Sequence, residues 1–174
     1  MTIITISGLP GSGKSTVAQL LEKKLGLKYV YFGNIFREMA KKNNMNLIEF
    51  GKHCEKNEDV DRELDGYQLK ILKKGNVILD GRISGWIAFR NNISAFKIFL
   101  EADLDTRVNR IINREKGDFK IRKNEILKRE KSEAIRYRNY YDIDINDLSI
   151  YDLVIDTSDK SPEKIVNIIV EKSR

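Results

Sequence analysis

One cysteine, Cys54, and one histidine, His53, are all that 174 residues offer in soft metal-binding chemistry. A lone cysteine excludes an internal disulfide framework, and this pair is too small a set to hold zinc. A reducing, intracellular setting is therefore expected. Two prolines and eleven glycines among 33% charged and 41% hydrophobic residues exclude collagen-like, linker-like and generally disordered chains. No run approaches the ~18 apolar residues of a membrane helix, and Met1–Ile6 carries no positive side chain before Lys14. Neither a signal peptide nor a membrane span is read, and the expected place is the cytoplasm, without a membrane partner.

The chain length predicts one domain over residues 1–174. The net charge of +6 raises the question of an anionic partner, and its distribution narrows the answer. Residues 107–138 hold 12 of the 32 basic and 5 of the 26 acidic residues, a local excess of seven, and the remainder is one charge on the acidic side. A basic coat would suit a polyanion such as RNA, whereas one basic stretch on a balanced chain also suits a small, highly charged ligand.

Thr2–Ser7 is apolar and β-branched almost throughout, which predicts a buried parallel strand, and a glycine-rich turn leads from it into a helix over Thr16–Leu25. The alternation then repeats. Strands are predicted at Leu27–Phe32, Val77–Asp80, Phe96–Leu100 and Leu153–Asp156. Helices are predicted at Ile35–Lys42, Leu47–Lys56, Asp61–Lys74, Leu104–Arg114, Ile121–Tyr141 and Pro162–Glu171, the last capped by Ser161. Such a chain is α/β, a doubly wound parallel sheet.

Gly8-Leu9-Pro10-Gly11-Ser12-Gly13-Lys14-Ser15-Thr16 satisfies G-x-x-x-x-G-K-[ST] and lies between a predicted strand and a predicted helix, the context that gives this pattern meaning. Its glycines let backbone N–H groups curl around a phosphate, the helix start adds positive potential, Lys14 reaches the β- and γ-phosphates, and Ser15 can ligate Mg²⁺. Asp80, closing an apolar strand, fits the carboxylate that helps to hold Mg²⁺, or else caps the next turn. ATP and Mg²⁺ are thus the expected ligands.

A phosphate loop alone leaves a switch, a motor and a small-molecule kinase open. Arg37, Arg82, Arg129 and Arg136 fall near predicted strand ends or on the basic helix, with Arg129 and Arg136 two turns apart on one face. Arg107, Arg110 and Arg114 form a second stripe, of which Arg110 is assigned to the ATP side. Guanidinium forks match phosphates bidentately, and many arginines imply many phosphates. A phosphate monoester is already anionic at pH 7 and needs no base, and Gly33-Asn34 stand after the second strand, in the place an aspartate would take beside an alcohol acceptor. A phosphate acceptor is favoured, although Asp80 or Glu38 could serve as a base.

Three segments then carry a resemblance over essentially the whole chain: Gly33-Asn34-Ile35-Phe36-Arg37, Asp80-Gly81-Arg82-Ile83-Ser84-Gly85-Trp86, and Arg129-Glu130-Lys131-Ser132-Glu133-Ala134-Ile135-Arg136. They resemble the short, mostly archaeal cytidylate kinases among the nucleoside monophosphate kinases. The last follows their R-[DE]-x-x-[DE]-x-x-R lid pattern, and Tyr151–Ser158 looks like their final strand. The resemblance implies a P-loop NTPase fold with strand order 2-3-1-4-5, a monophosphate-binding side over 33–74 and a lid over 107–139. It further implies that Arg37 and Arg82 grip the CMP phosphate, that Arg129 and Arg136 close over both phosphate groups, and that Glu133 reaches the acceptor's sugar. Gly33 falls in the acceptor segment. Phe32 and Asn34 depart from the pattern, the turn from Asp61-Arg62 to Gln68 follows the longer bacterial forms only loosely, and the residues that read cytosine, which belong to this side of the cleft, are not legible from it.

The reaction so implied moves the γ-phosphoryl group of ATP·Mg²⁺ to CMP and dCMP, in a monomer without a stable nucleic-acid partner. Rivals are a kinase for UMP, AMP or a small alcohol, and an ATPase that contacts RNA through residues 107–138. Trp86, Phe89, Tyr140 and Tyr141 read as packing, and His53-Cys54 as no catalytic pair.

Overall fold

The computed structural model describes residues 1–173. Five parallel strands form one sheet in the order β2-β3-β1-β4-β5, with β1 at Ile3–Gly8, β2 at Lys28–Tyr31, β3 at Val77–Asp80, β4 at Phe96–Glu101 and β5 at Leu153–Asp156. Every residue of β1 and β3 is buried, while the edge strands β2 and β5 are partly exposed. The near-continuous apolar run of Ile3–Ile6 is what a central strand covered on both faces requires.

Successive side chains of β1 enter opposite cores. Ile4 and Ile6 pack with Val17, Leu21, Ile165 and Ile169 beneath α1 (Lys14–Leu25) and α8 (Pro162–Lys172). Ile3 joins Leu64, Leu72, Leu79, Trp86 and Tyr137 on the other face, under α4 (Glu58–Lys74), α5 (Ser84–Arg90) and α7 (Phe119–Tyr141). α2 (Phe32–Lys42), α3 (Leu47–Cys54) and α6 (Leu104–Glu115) complete the helices.

Local chemistry sets the helix ends. Asn46 and Glu49 form a reciprocal capping box on α3, Asp118 caps α7, and Ser161 caps α8 with Pro162 in the first turn. Gly26 ends α1 in the left-handed region, where glycine carries no steric penalty.

Three features differ from the sequence reading. α5 was not anticipated: Ser84–Ala88 are all buried, so the segment lacks the amphipathic period by which a short helix is recognised. α2 begins at Phe32, directly after β2, rather than at Ile35, so Phe32 leaves the expected strand and Gly33 and Asn34 are helical. Phe89, read as packing, is 51% exposed and only edges against Trp86, which is buried as expected.

Candidate functional site

β1 and β3 deliver their carboxyl ends to one cleft of about 490 Å³, bounded by the phosphate loop, α2, α4, α6 and α7. That is the place where parallel α/β sheets bind ligands. The loop after β1 is drawn tight by Ser12 N–H donating to the Leu9 carbonyl, and the Lys14 ammonium donates to the carbonyls of Gly8 and Leu9 at 2.8 and 2.9 Å. Two glycines are required by space as well as by backbone angle. A β-carbon on Gly8 (φ +146°) would stand 2.2 Å from the Leu100 carbonyl oxygen, and one on Gly11 (φ +79°) 2.6 Å from that of Arg107.

Gly13 precedes α1, so Lys14, Ser15 and Thr16 form its first turn, whose N–H groups have no intrahelical acceptors. This is an anion-binding arrangement. Burial, with Arg82 adding repulsion, lowers Lys14 to a pKa of about 7 against the opposing pull of Asp80 and Glu133. The free loop therefore holds its cation weakly, and a bound phosphate would restore the charge.

Asp80, at the end of β3, is 1% exposed. Its Oδ2 accepts from the Ser15 hydroxyl at 2.8 Å and from the Tyr29 hydroxyl at 3.2 Å, while Oδ1 is buried without a donor. Burial raises its pKa, opposed chiefly by Lys14. A carboxylate held by two hydroxyls on one oxygen, with the other free beside Ser15, suits a hard cation or its water shell.

The arginines named from the sequence separate into two groups. Arg82 donates to the Gly8 carbonyl at 2.6 Å, and its Nε meets Glu133 at 2.8 Å. Arg129 holds the other oxygen of Glu133 at 3.0 Å. Arg136, 2% exposed, donates to Asp61 at 2.6 Å, and Arg37 donates to the Tyr31 hydroxyl at 2.5 Å. These four line the cleft together with Lys14. Burial alone would push Glu133 up, but Arg82, Arg129 and Arg136 outweigh it and hold the carboxyl below its usual range. Glu133 is thus an ionised brace on two arginines, and Asp61 braces a third.

Arg107 does not join them. It is 5% exposed, pairs with Glu130, and donates to the carbonyls of Pro10 at 3.2 Å and Ala102 at 3.0 Å, so it ties the phosphate loop to α7. Arg110 donates to Thr157 through its hydroxyl at 2.9 Å and its carbonyl at 2.6 Å, and reaches the Gly11 carbonyl at 3.4 Å. It stands beside the loop as a brace. Arg114 lies at the cleft margin, paired with its exposed neighbour Glu115.

Gly33 lines the cleft, and any side chain there would run into the Tyr31 ring, which carries Arg37. His53 and Cys54 sit on α3, where Cys54 is buried and burial pushes its thiol up to about 11. Such a thiol is inert as a nucleophile.

Several residues have no role in the sequence reading: Tyr31, Asp61, Asp65, Gln68 and Tyr137 line the cleft, and Tyr29 holds Asp80 behind it, although the stretch from Asp61 to Gln68 is there a loose match to the longer bacterial forms. One signal was present. Asp61, Asp65 and Gln68 share a helical stripe with Leu64 and Leu72, and polar residues on a core-facing stripe ask for a partner. Burial raises Asp61 to about 6 against the pull of Arg136, and Asp65 to about 7.

Residues 3–159 match the cytidylate kinase-like family. A cytidylate kinase of Methanococcus vannielii is 48% identical over 168 residues, covering 96% of this chain and 97% of that protein. One of Methanocaldococcus jannaschii is 45% identical, covering 96% and 94%. Among solved structures, a shikimate kinase of Bacteroides thetaiotaomicron superposes with a TM-score of 0.59 at 13% identity, over 98% of this chain and 96% of that one, a likeness of fold. With the strand order 2-3-1-4-5 and the phosphate loop in place, the fold is that of the P-loop kinases, and the chain belongs to the cytidylate kinase-like family.

Proposed function

We propose that the protein transfers the γ-phosphoryl group of ATP to CMP, and to dCMP, giving CDP or dCDP and ADP. The observation that carries this reading is the convergence of Arg37, Arg82, Arg129 and Arg136 on one cleft with Lys14 and the first turn of α1. Family membership supplies the acceptor's base.

In this reading Lys14 and the N–H groups of the loop hold the donor's β- and γ-phosphates. Arg37 and Arg82 hold the acceptor's phosphate, and Arg129 and Arg136 close over both groups from α7. Arg110 steadies the donor side through the loop, and Gly33 makes room for the Tyr31–Arg37 pair. Glu133 orders the arginines before any phosphate arrives and then turns to the acceptor's sugar. An oxygen of the acceptor's phosphate attacks the γ-phosphorus as the bond to the ADP oxygen breaks. That oxygen is already anionic at pH 7, so no side chain need take a proton. Ser15 and Asp80 fit Mg²⁺ through the free Asp80 oxygen, and the ion, when bound, neutralises charge on the β- and γ-phosphate oxygens.

Residues 33–74 act as the acceptor-binding side and 107–139 as a lid whose closure excludes water. The enzyme is read as a cytoplasmic monomer that needs no nucleic-acid partner. Among the described residues no helix is long and apolar enough to cross a membrane.

The deciding experiment measures ADP formation from ATP·Mg²⁺ with CMP, dCMP, UMP, AMP and GMP offered singly, beside no-acceptor and RNA controls. Turnover confined to CMP and dCMP is expected. Hydrolysis stimulated by RNA, with no turnover dependent on a mononucleotide, would replace the kinase by an RNA-associated ATPase.

A further inference from the structure

The N-terminal half of α4 is built differently from its C-terminal half. Asp61, Leu64, Asp65, Gln68 and Leu72 fall on one helical stripe, and at Leu72 this face simply enters the core. Nearer the cleft the same stripe is polar. Asp61 and Gln68 are 3% and 2% exposed. Asp61 uses Oδ1 for Arg136, and Asp65 uses Oδ1 to accept from the Gln68 amide at 2.9 Å. Asp61 Oδ2 and Gln68 Oε1 have no donor, whereas Asp65 has the Tyr141 hydroxyl beside it as a further donor.

With Asp65 ionised, the amide is held in this orientation, because a turned Gln68 would set its carbonyl oxygen against the Asp65 carboxylate. Two acceptor oxygens, on Asp61 and Gln68, therefore stand without a donor, and buried acceptors without donors destabilise a fold unless a ligand completes them. Asp61, Asp65 and Gln68 line the cleft beside Arg82 and Arg136. Gln68 Oε1 lies close over Gly81, since a β-carbon on that glycine would stand 2.7 Å away. The wall thus lies next to the arginines assigned to the acceptor's phosphate.

We infer that Asp61 and Gln68, with Asp65 orienting the Gln68 amide, read the exocyclic amino group of the acceptor's base and reject a carbonyl at the same ring position. The inference rests on the proposed CMP kinase activity and deepens it. At position 4 cytosine presents an amino group with two N–H donors, and uracil presents a carbonyl oxygen. An acceptor wall satisfies the first and faces the second with lone pairs, so the choice combines attraction with repulsion. A site built to hydrogen-bond a polar group discriminates strongly, because the wrong ligand leaves buried groups unpaired. The wall separates cytosine from uracil and does not separate pyrimidines from purines.

The test compares kcat/KM for CMP and UMP in the wild type, Asp61→Asn and Gln68→Met, with ATP·Mg²⁺ saturating at pH 8.5, where Asp61 and Asp65, with pKa values of about 6 and 7, are ionised. An asparagine at 61 keeps the acceptor for Arg136 and places an N–H donor where the free oxygen stood. Its CMP-to-UMP ratio should fall about 100-fold, by loss on CMP and gain on UMP together. Methionine at 68 keeps the volume and removes the acceptor, and should lower the ratio about tenfold through CMP alone. Circular dichroism and ATP affinity identify a folded protein, and if Asp61→Asn does not fold, Gln68→Met decides alone. A wild type that prefers CMP, with folded variants that keep its ratio within about threefold, would overturn the inference while leaving the kinase reading intact. A wild type with no CMP-dependent turnover would overturn both.

Discussion

Replacing Arg107 by methionine should cost stability out of proportion to its apparent resemblance to the neighbouring surface arginines. Its guanidinium is 5% exposed and serves Glu130, Pro10 and Ala102 at once. Removing one member of a buried pair costs about 3–5 kcal/mol, chiefly because the remaining charge is left without a partner. The Glu130 side chain is 17% exposed and can recover some water, which places the expectation near the lower end, about 3 kcal/mol. For a domain of this size each kcal/mol moves Tm by about 2–4 °C, so a fall of about 6–12 °C is expected in a thermal melt followed by circular dichroism. The double variant Arg107→Met/Glu130→Gln should recover part of the loss, since it removes the orphaned charge. A single variant within about 2 °C of wild type, or a double variant as unstable as the sum of its parts, would refute the assignment of Arg107 as a buried tie. Arg114→Ala is the matched control: its pair with Glu115 is exposed, and a shift under about 2 °C is expected.

Lys14→Met should abolish turnover while holding Tm at or above that of wild type at pH 7, because it removes a cation that burial already disfavours; a large fall in Tm would contradict this. Arg82→Ala should raise the CMP KM and lower kcat, with kcat/KM down about 10³-fold, since the residue meets both the loop and Glu133, and normal CMP kinetics would remove its role. Urea unfolding of the free protein should show a stability minimum near pH 7. Asp61 and Asp65 have folded pKa values of about 6 and 7, above their unfolded values, so the folded state binds more protons and stability falls as pH rises from about 4 to 7. Lys14 has a folded value of about 7, below its unfolded value, so the unfolded state binds more protons and stability rises from pH 7 toward 10. ATP·Mg²⁺ should flatten the alkaline limb by restoring the lysine's charge, and a stability maximum at pH 7 in the free protein would refute these shifts.

The phosphate loop was legible because its chemistry is local. The spacing Gly8–Thr16, the β-branched run before it and the apolar helix after it are one continuous stretch of chain, and the loop's conformation follows from its own glycines. The strands and most helices were legible for the same reason, since period and capping act over a few residues. α5 was not, because five successive buried residues, Ser84–Ala88, leave no polar face to mark its period. Arginines were legible only as a set. Nothing local distinguishes Arg107 from Arg136, and both stand on basic, helical stretches.

By itself the sequence determined a parallel α/β chain with a nucleotide-phosphate loop and an excess of arginine on one segment, because strand burial, loop geometry and charge are properties of neighbouring residues. The tertiary structure decided which charges meet. Asp61 finds Arg136 across 75 residues, Arg107 leaves the phosphate set for Glu130, and the acceptor oxygens of α4 are brought beside Arg82 by the packing of that helix against β3 and α5. Pairings of this kind depend on which helix face the two cores bury. A guanidinium acts as a phosphate ligand or a structural tie according to the partner that the fold sets beside it.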